Sequence, residues 1–265
     1  MSSPRVAIER GAPHLTGVAV VGAVELLTPR LARITFEGPE LAGFPDEEPG
    51  EIITLIWPAD GRDEVVLPGA GWRYPPGAPD QHWRNYTIRD YDRERPAMVV
   101  DFVLHGDHGR ASARARAGDR VGFAGPRVHY TTDTDAPWTL LAGDETALPS
   151  IAATLERMPD GHRVFALVEI DHRDDRQEIE TRAEATIVWI ERKRPPHASR
   201  ALERAVRALA LPDGPGKVWV AGESAMVRGL REHLRGERGV PIGPMQAIGY
   251  WKHRETRDDV DDDLE

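Results

Sequence analysis

Residues 84–89, which read RNYTIR, carry side chains suited to holding a flat heterocycle that is linked to a diphosphate. On a strand, side chains alternate between faces, so Arg84, Tyr86 and Ile88 share one face. A tyrosine ring can lie on a heterocycle, a guanidinium can grip a pyrophosphate through paired hydrogen bonds, and a threonine can reach a ring nitrogen. An ordinary strand with one packed tyrosine and two solvated arginines fits the same residues equally well.

A glycine-containing turn follows about fifteen residues later, where residues 101–112 read DFVLHGDHGRAS. The pattern predicts a strand, then a turn, then the start of a helix. Backbone amides at a helix N-terminus bind anions, and glycines let the main chain approach a diphosphate closely. This turn strengthens the interpretation of residues 84–89 as a dinucleotide-binding strand.

Three further segments place polar or aromatic residues directly after a strand. Residues 140–149 (LLAGDETALP) and 218–226 (VWVAGESAM) each predict a strand that ends near a glycine and leads into a helix, and residues 249–254 (GYWKHR) follow a last strand. At the carboxyl end of a parallel sheet, such strand-to-helix turns bind nucleotides, although residues 140–149 do not contain the GxGxxG fingerprint. A helix capped by Asp144 or Thr146 and aromatics in the core are the simpler alternatives.

The elements that must position these segments fall into two groups. Six short apolar or β-branched runs, separated by Gly, Pro and Asp, predict a small antiparallel barrel in the first half. They are Val18–Leu27, Leu31–Glu37, Glu51–Trp57, Trp83–Asp90, Met98–Leu104 and Arg120–Ala124, with a short helix at Arg110–Ala117. After Pro137, strands alternate with helices, which predicts a doubly wound parallel sheet. We therefore expect a β-barrel domain over 1–130, an α/β domain over 131–257 and an acidic tail over 258–265.

Composition excludes several classes of function. The chain has 265 residues, a net charge of -10 and no cysteine, which argues against a nucleic-acid partner and excludes thiolate chemistry. The sequence shows neither an apolar run long enough for a membrane span nor a signal peptide, and we expect a cytoplasmic monomer. The histidines have no compact metal-ligand spacing, so we expect no resident metal.

Taken together and in order, five segments closely resemble the siderophore-interacting proteins. They are RNYTIRDYD, VDFVLHGDHGRAS, LLAGDETALPSIAATLERMP, VWVAGESAMVRGLREHLR and GYWKHR, and the likeness runs from about Leu15 to Arg254. That family comprises FAD-dependent ferric-siderophore reductases within the wider ferredoxin-reductase-like superfamily. The resemblance implies an FAD-binding barrel followed by an NAD(P)H-binding α/β domain.

The resemblance also implies roles for individual residues. Arg84 would bind the FAD pyrophosphate, Tyr86 would pack on the isoalloxazine, and Thr87 would contact its N5 edge. The adenine and diphosphate end of FAD would be lined by His105, Gly106, Gly109, Ala111 and Ser112. The nucleotide turns would contribute Asp144, Glu145 and Thr146, then Gly222, Glu223 and Ser224, and finally Tyr250 and Trp251. Their neighbours Ile88, Arg89, Asp101, Val103, Arg110 and Ala147 complete the expected cofactor-binding set.

The sequence departs from the family pattern at two informative positions. Arg110 stands where a proline is frequent after the diphosphate-turn glycine, and Thr54 stands where a lysine is frequent on the third strand. In relatives that lysine belongs to a basic set that attracts anionic ferric siderophores, so its absence bears on the charge of the substrate. We expect Arg127, Lys252 and Arg254 to supply a basic rim for the substrate.

The implied activity is reduction of Fe(III) in a siderophore to Fe(II), with FAD as cofactor and NADH or NADPH as electron donor. Hydride and electron transfer need no acid–base group, so we expect no catalytic side chain. Two alternatives remain: a general NAD(P)H:flavin or ferric reductase with another acceptor, and a non-catalytic siderophore-binding protein. Acids at Glu169 and Asp171 favour a free ribose 2′-hydroxyl and Arg173 favours a 2′-phosphate, which leaves the nucleotide open.

Overall fold

A computed structural model describes residues 15–45, 48–69, 72–104, 114–127, 136–240 and 245–253. The chain divides into two compact units. Unit 1 comprises residues 1–132 together with 152–157 and 177–180, and unit 2 comprises 133–151, 158–176 and 181–265. No helix among the described residues is long and apolar enough to cross a membrane.

Unit 1 is built on a closed six-stranded antiparallel barrel, as the sequence predicts. Its strands are β1 (Leu15–Thr28), β2 (Leu31–Glu37), β3 (Ile52–Trp57), β4 (His82–Asp92), β5 (Ala97–Val103) and β6 (Arg120–Arg127). They close in the order β1-β2-β5-β4-β3-β6, so β4 lies between β3 and β5. The interior is filled by alternating residues from every strand, for example Ile34, Leu55, Ile88, Phe102 and Phe123.

Unit 2 contains a five-stranded parallel sheet in the order β11-β10-β7-β8-β9. Its strands are β7 (Trp138–Gly143), β8 (Arg163–Ile170), β9 (Glu184–Glu191), β10 (Lys217–Glu223) and β11 (Met245–Trp251). The chain runs outward from β7 through β8 to β9, then returns to β10 on the other side of β7. This reversal confirms the doubly wound topology, and ligands of such sheets bind at the carboxyl ends of the strands beside the reversal.

In the part of the chain that the structure describes, three α-helices connect the strands of the parallel sheet: α1 (Leu148–Arg157), α2 (Ala201–Ala208) and α3 (Ser224–Glu232). The sequence predicts a helix over His197–Ala208, but α2 begins only at Ala201, because Pro195 and Pro196 restrict the backbone and residues 196–198 form a 3-10 turn. The helix predicted over Arg110–Ala117 lies partly outside the described residues, and it does not continue past Arg114.

Candidate functional site

The inward face of β4 becomes more exposed from its middle towards its start. Ile88 is buried in the barrel interior, Tyr86 is half-buried against it, and Arg84 is exposed. The Tyr86 ring lies 4.4 Å from the Phe102 ring between centroids, at 52°. Burial raises the pKa of Tyr86 to about 12, so its hydroxyl stays neutral at physiological pH. The strand thus presents a neutral aromatic ring and, two residues away, an exposed guanidinium, which fits a heterocycle joined to a diphosphate.

The opposite face of β4 carries Thr87 and Arg89, both buried. Within unit 1, Arg89 forms an ion pair with Glu156, and its Nε lies 3.8 Å from Asp101 Oδ2. Arg33 donates two hydrogen bonds to Asp101, of 2.7 and 2.8 Å. Burial is the main cause that lowers the pKa of Arg89. These contacts give Arg89 and Asp101 a structural role, and a cofactor role for either side chain stays a prediction.

A polar cluster joins β3, β4 and β6 on the outer face of the barrel. Thr54 donates a 2.8 Å hydrogen bond to Asn85 Oδ1, and Arg127 Nη2 donates to both, at 2.5 Å each. Thr54 is buried and Arg127 is half-buried, and this burial lowers the pKa of Arg127. A guanidinium therefore stands beside Thr54, the position at which the family resemblance implies a lysine. Sequence reasoning predicted Arg127 as a substrate residue but missed Asn85 as its partner.

Several predicted site residues lie outside the described residues, namely His105, Gly106, Gly109, Arg110, Ala111, Ser112 and Arg254. Lys252 is exposed just after β11. Val103 is the half-buried last residue of β5. Among the described residues there is no group of three or more histidines, cysteines or carboxylates that could hold a metal ion.

Asp144 is the hub of the site in unit 2. Its side chain is 3% exposed and follows β7 directly. One carboxylate oxygen accepts hydrogen bonds from the backbone N–H (2.9 Å) and hydroxyl (2.5 Å) of Thr146, and the other accepts from the backbone N–H of Glu223 (2.8 Å) and from Trp251 Nε1 (3.0 Å). The carboxylate thereby holds together the ends of β7, β10 and β11. Burial first, then the charge of Glu145, raises the pKa of Asp144 to about 6.

The close approach between the Asp144 carboxylate and the backbone of β10 depends on Gly222. Its φ is +136°, and a β-carbon there would lie 2.5 Å from Asp144 Oδ2. Any other residue would be strained and would displace the carboxylate. The predicted turn residue Gly222 thus makes room for the predicted residue Asp144.

The remaining predicted turn residues surround this hub. Glu223 caps α3 by accepting hydrogen bonds from the N–H groups of Ala225 and Met226, and Ser224 Oγ donates to the carbonyl of Trp251 at 2.7 Å. The Tyr250 hydroxyl lies 3.1 Å from Ser150 Oγ. Ala147 is fully buried immediately before α1. The structure therefore brings the three turns of unit 2 to one edge of the sheet.

In addition to the hydrogen bonds of Asp144, this edge of the sheet carries an ion-pair network that the sequence did not predict. Arg192, the buried residue after β9, grips Glu145 with two guanidinium nitrogens and lies 3.2 Å from Asp171. Its partners follow β7 and β8, so Arg192 ties together the ends of three adjacent strands. The only sequence signal is a charged residue immediately after a strand, which is too common to single it out.

Comparison with known proteins places this geometry in a family. A model of siderophore-interacting proteins matches residues 136–254, and a model of the siderophore-interacting FAD-binding domain matches residues 20–130. The chain belongs to the siderophore-interacting protein family. The first model covers the parallel sheet with Asp144, and the second covers the barrel with β4.

Individual relatives cover most of this siderophore-interacting protein. Ferric vibriobactin reductase ViuB of Vibrio cholerae is 32% identical over 84% of each chain, and the NADPH-dependent ferric-chelate reductase of Escherichia coli is 26% identical over 86% of this chain and 89% of its own. A crystal structure of a siderophore utilization protein from T. fusca superimposes with a TM-score of 0.81, at 32% identity, covering 92% of this chain and 95% of that one.

Proposed function

We propose that this protein is an NAD(P)H-dependent, FAD-containing ferric-siderophore reductase. The observation that carries the proposal is the inward face of β4, where the half-buried ring of Tyr86 and the exposed guanidinium of Arg84 lie two residues apart in a barrel matched by the FAD-binding model. A bound flavin supplies the step between a two-electron hydride donor and one-electron ferric acceptors.

The residues of the chain would hold and orient these groups. Arg84 would bind the pyrophosphate, Tyr86 would contact the isoalloxazine as a neutral ring, and Thr87 would lie at its N5 edge. In unit 2, the turns around Asp144 and Glu223 would receive the nicotinamide nucleotide at the carboxyl ends of β7 and β10. Because NADH and NADPH are cytoplasmic reductants, we propose that the reaction takes place in the cytoplasm.

The substrate would be an iron chelate with negative charge. Arg127 is the described cation of the barrel cluster that joins β3, β4 and β6, and Thr54 and Asn85 hold its guanidinium in place. The relatives named for ferric vibriobactin and ferric chelates support iron as the acceptor.

The test separates the proposal from its two rivals. The purified protein is expected to show flavin absorbance, to bleach anaerobically with NADH or NADPH, and to recover its colour on addition of a ferric siderophore. A colourless protein that binds ferric siderophore would favour the non-catalytic alternative. Bleaching without recovery by any ferric chelate would favour a reductase with another acceptor.

A further inference from the structure

A cleft of about 600 Å³ opens in unit 2 between the end of β9 and the start of α2. Four cationic side chains line it: Lys193, Arg194, Arg200 and Arg204. Glu191 is the one acid among the lining residues. The net charge of the lining is therefore positive, although the chain as a whole carries a charge of -10.

The cations of this cleft are exposed and largely unneutralised. Arg200 forms an ion pair of 2.8 Å with Glu203. Among the residues that the structure describes, Lys193, Arg194 and Arg204 have no ion pair. A cleft with three such groups is suited to a phosphate monoester, which carries roughly 1.5 to 2 negative charges at pH 7.

The cleft lies at the edge of the sheet where the nucleotide is proposed to bind. Arg192 immediately precedes Lys193, and its guanidinium reaches Glu145 after β7 and Asp171 after β8. The basic cleft therefore lies at the same carboxyl edge of the sheet, on the β9 side of the turn that follows β7. In doubly wound sheets the adenosine half of a dinucleotide extends from the first turn towards the end of the neighbouring strand, which here is β8. The cleft lies beside that strand end, at the adjacent strand β9.

The acids at the end of β8 are already engaged. Glu169 is buried, and its Oε2 accepts hydrogen bonds from Ser199 Oγ and from the backbone N–H of Leu202, both 2.9 Å. Asp171 lies 3.2 Å from Arg192. A carboxylate that selects NADH must accept a hydrogen bond from the ribose 2′-hydroxyl. Glu169 instead caps α2, and the charge of Asp171 is offset by Arg192.

We propose that the cleft of Lys193, Arg194, Arg200 and Arg204 binds the 2′-phosphate of NADPH and makes this protein NADPH-selective. The inference rests on the proposed function, because it assigns the electron donor of the same reductase. Since Glu169 already caps the N-terminus of α2, the phosphate is held by side-chain cations and not by helix amides.

Calorimetric titration of the full-length protein with 2′,5′-ADP and with 5′-ADP tests the site without any need for flavin reduction or iron. We expect 2′,5′-ADP to bind at least about ten-fold more tightly. The double variant R194A/R204A should lose this preference, and Lys193→Glu should weaken it by about ten-fold. Arg163→Ala is the matched control, because this exposed arginine lies at the amino end of β8, and it should keep the preference.

Equal affinity for the two nucleotides, no binding of either, or a preference that survives in the double variant would each overturn the assignment. Thermal unfolding of each variant confirms that it is folded. A protein that prefers 2′,5′-ADP but does not reduce ferric chelates would support the assignment of the cleft and disprove the proposed function. Failure of the one proposal is therefore distinguishable from failure of the other.

Discussion

Trp251 Nε1 donates a 3.0 Å hydrogen bond to Asp144 Oδ2, and this bond links the end of β11 to the end of β7. The two residues are 107 positions apart in the sequence. Because the same carboxylate also accepts hydrogen bonds from Thr146 and Glu223, a single buried acid organises the nucleotide edge of unit 2.

The raised pKa of Asp144 predicts a specific pH dependence of stability. The pKa of about 6 in the folded state lies above the ordinary aspartate value of 3.8, so folding takes up a proton between these two pH values. The free energy of unfolding should therefore fall as the pH rises from about 4 to about 6, by roughly 3 kcal/mol on the scale of 1.4 kcal/mol per pKa unit. Denaturant unfolding of the wild type and Asp144→Asn from pH 4 to 7 measures the difference between the two curves.

Asp144→Asn removes this titration but also replaces one accepting oxygen by an amide that faces N–H donors. We expect the variant to be less stable than the wild type at pH 4, by about 1–3 kcal/mol, and we expect this difference to disappear or change sign by pH 7, because the titration of Asp144 destabilises only the wild type. A constant gap across this range would show that Asp144 does not titrate between the two values.

Arg89 is predicted to stabilise unit 1 through its ion pair with Glu156. Arg89→Ala leaves Asp101 with Arg33 alone and Glu156 without its partner. The loss should be about 2 kcal/mol, below the ~3–5 kcal/mol of a fully buried pair, because Glu156 is partly exposed. Urea unfolding measures the loss, and the flavin content per folded molecule tests the cofactor role that the family resemblance implies for Arg89.

Arg95→Ala serves as the control for Arg89, because Arg95 pairs with Asp92 on the surface at 89% side-chain exposure. Such an exposed pair contributes little to stability. Loss of flavin in Arg89→Ala at wild-type stability would assign Arg89 to the cofactor instead.

Tyr86 is predicted to contribute its ring, and not its hydroxyl, to flavin binding. Tyr86→Phe should retain FAD affinity, whereas Tyr86→Ala should weaken it by about ten-fold, because one aromatic contact and its buried area are lost. Fluorescence titration of the apoprotein with FAD gives both values. Trp83→Ala is the matched control from the other face of β4, and a loss of affinity as large as that of Tyr86→Ala would contradict the assignment of faces.

Arg127 is predicted to attract an anionic ferric chelate. Arg127→Ala should raise KM for such a chelate by about ten-fold with little change in kcat, and added salt should shrink the difference. A neutral ferric chelate should be unaffected. Arg120→Ala, at the exposed start of the same strand, is the control. An equal rise in KM in this variant would show that Arg127 acts only through the general surface charge.

Much of the framework could be predicted from local patterns. A short run of apolar and β-branched residues predicted β4 over Trp83–Asp90, close to the observed His82–Asp92, and the alternation of strands with helices after Pro137 predicted the parallel sheet. These features depend on neighbouring residues, which the sequence displays directly.

The contacts that join distant segments could not be predicted in the same way. Arg192 and Glu145 are 47 positions apart, and Arg127 meets Asn85 across 42 positions, so only the folded sheet and barrel bring them together. The acids Glu169 and Asp171 left the nucleotide open in the sequence, because their partners are distant in the chain: Ser199 precedes α2, and Arg192 follows β9.

The central claim is that electrons pass from a nicotinamide nucleotide through bound flavin to chelated iron. The most direct measurement is an anaerobic reaction of the purified protein with NADPH and excess ferric siderophore, with ferrous iron captured by a colorimetric chelator. About two ferrous ions should form per NADPH oxidised, because a hydride carries two electrons and each Fe(III) accepts one, and flavin-free protein should form none. Oxidation of NADPH without ferrous iron, or equal iron reduction by the flavin-free protein, would contradict the claim.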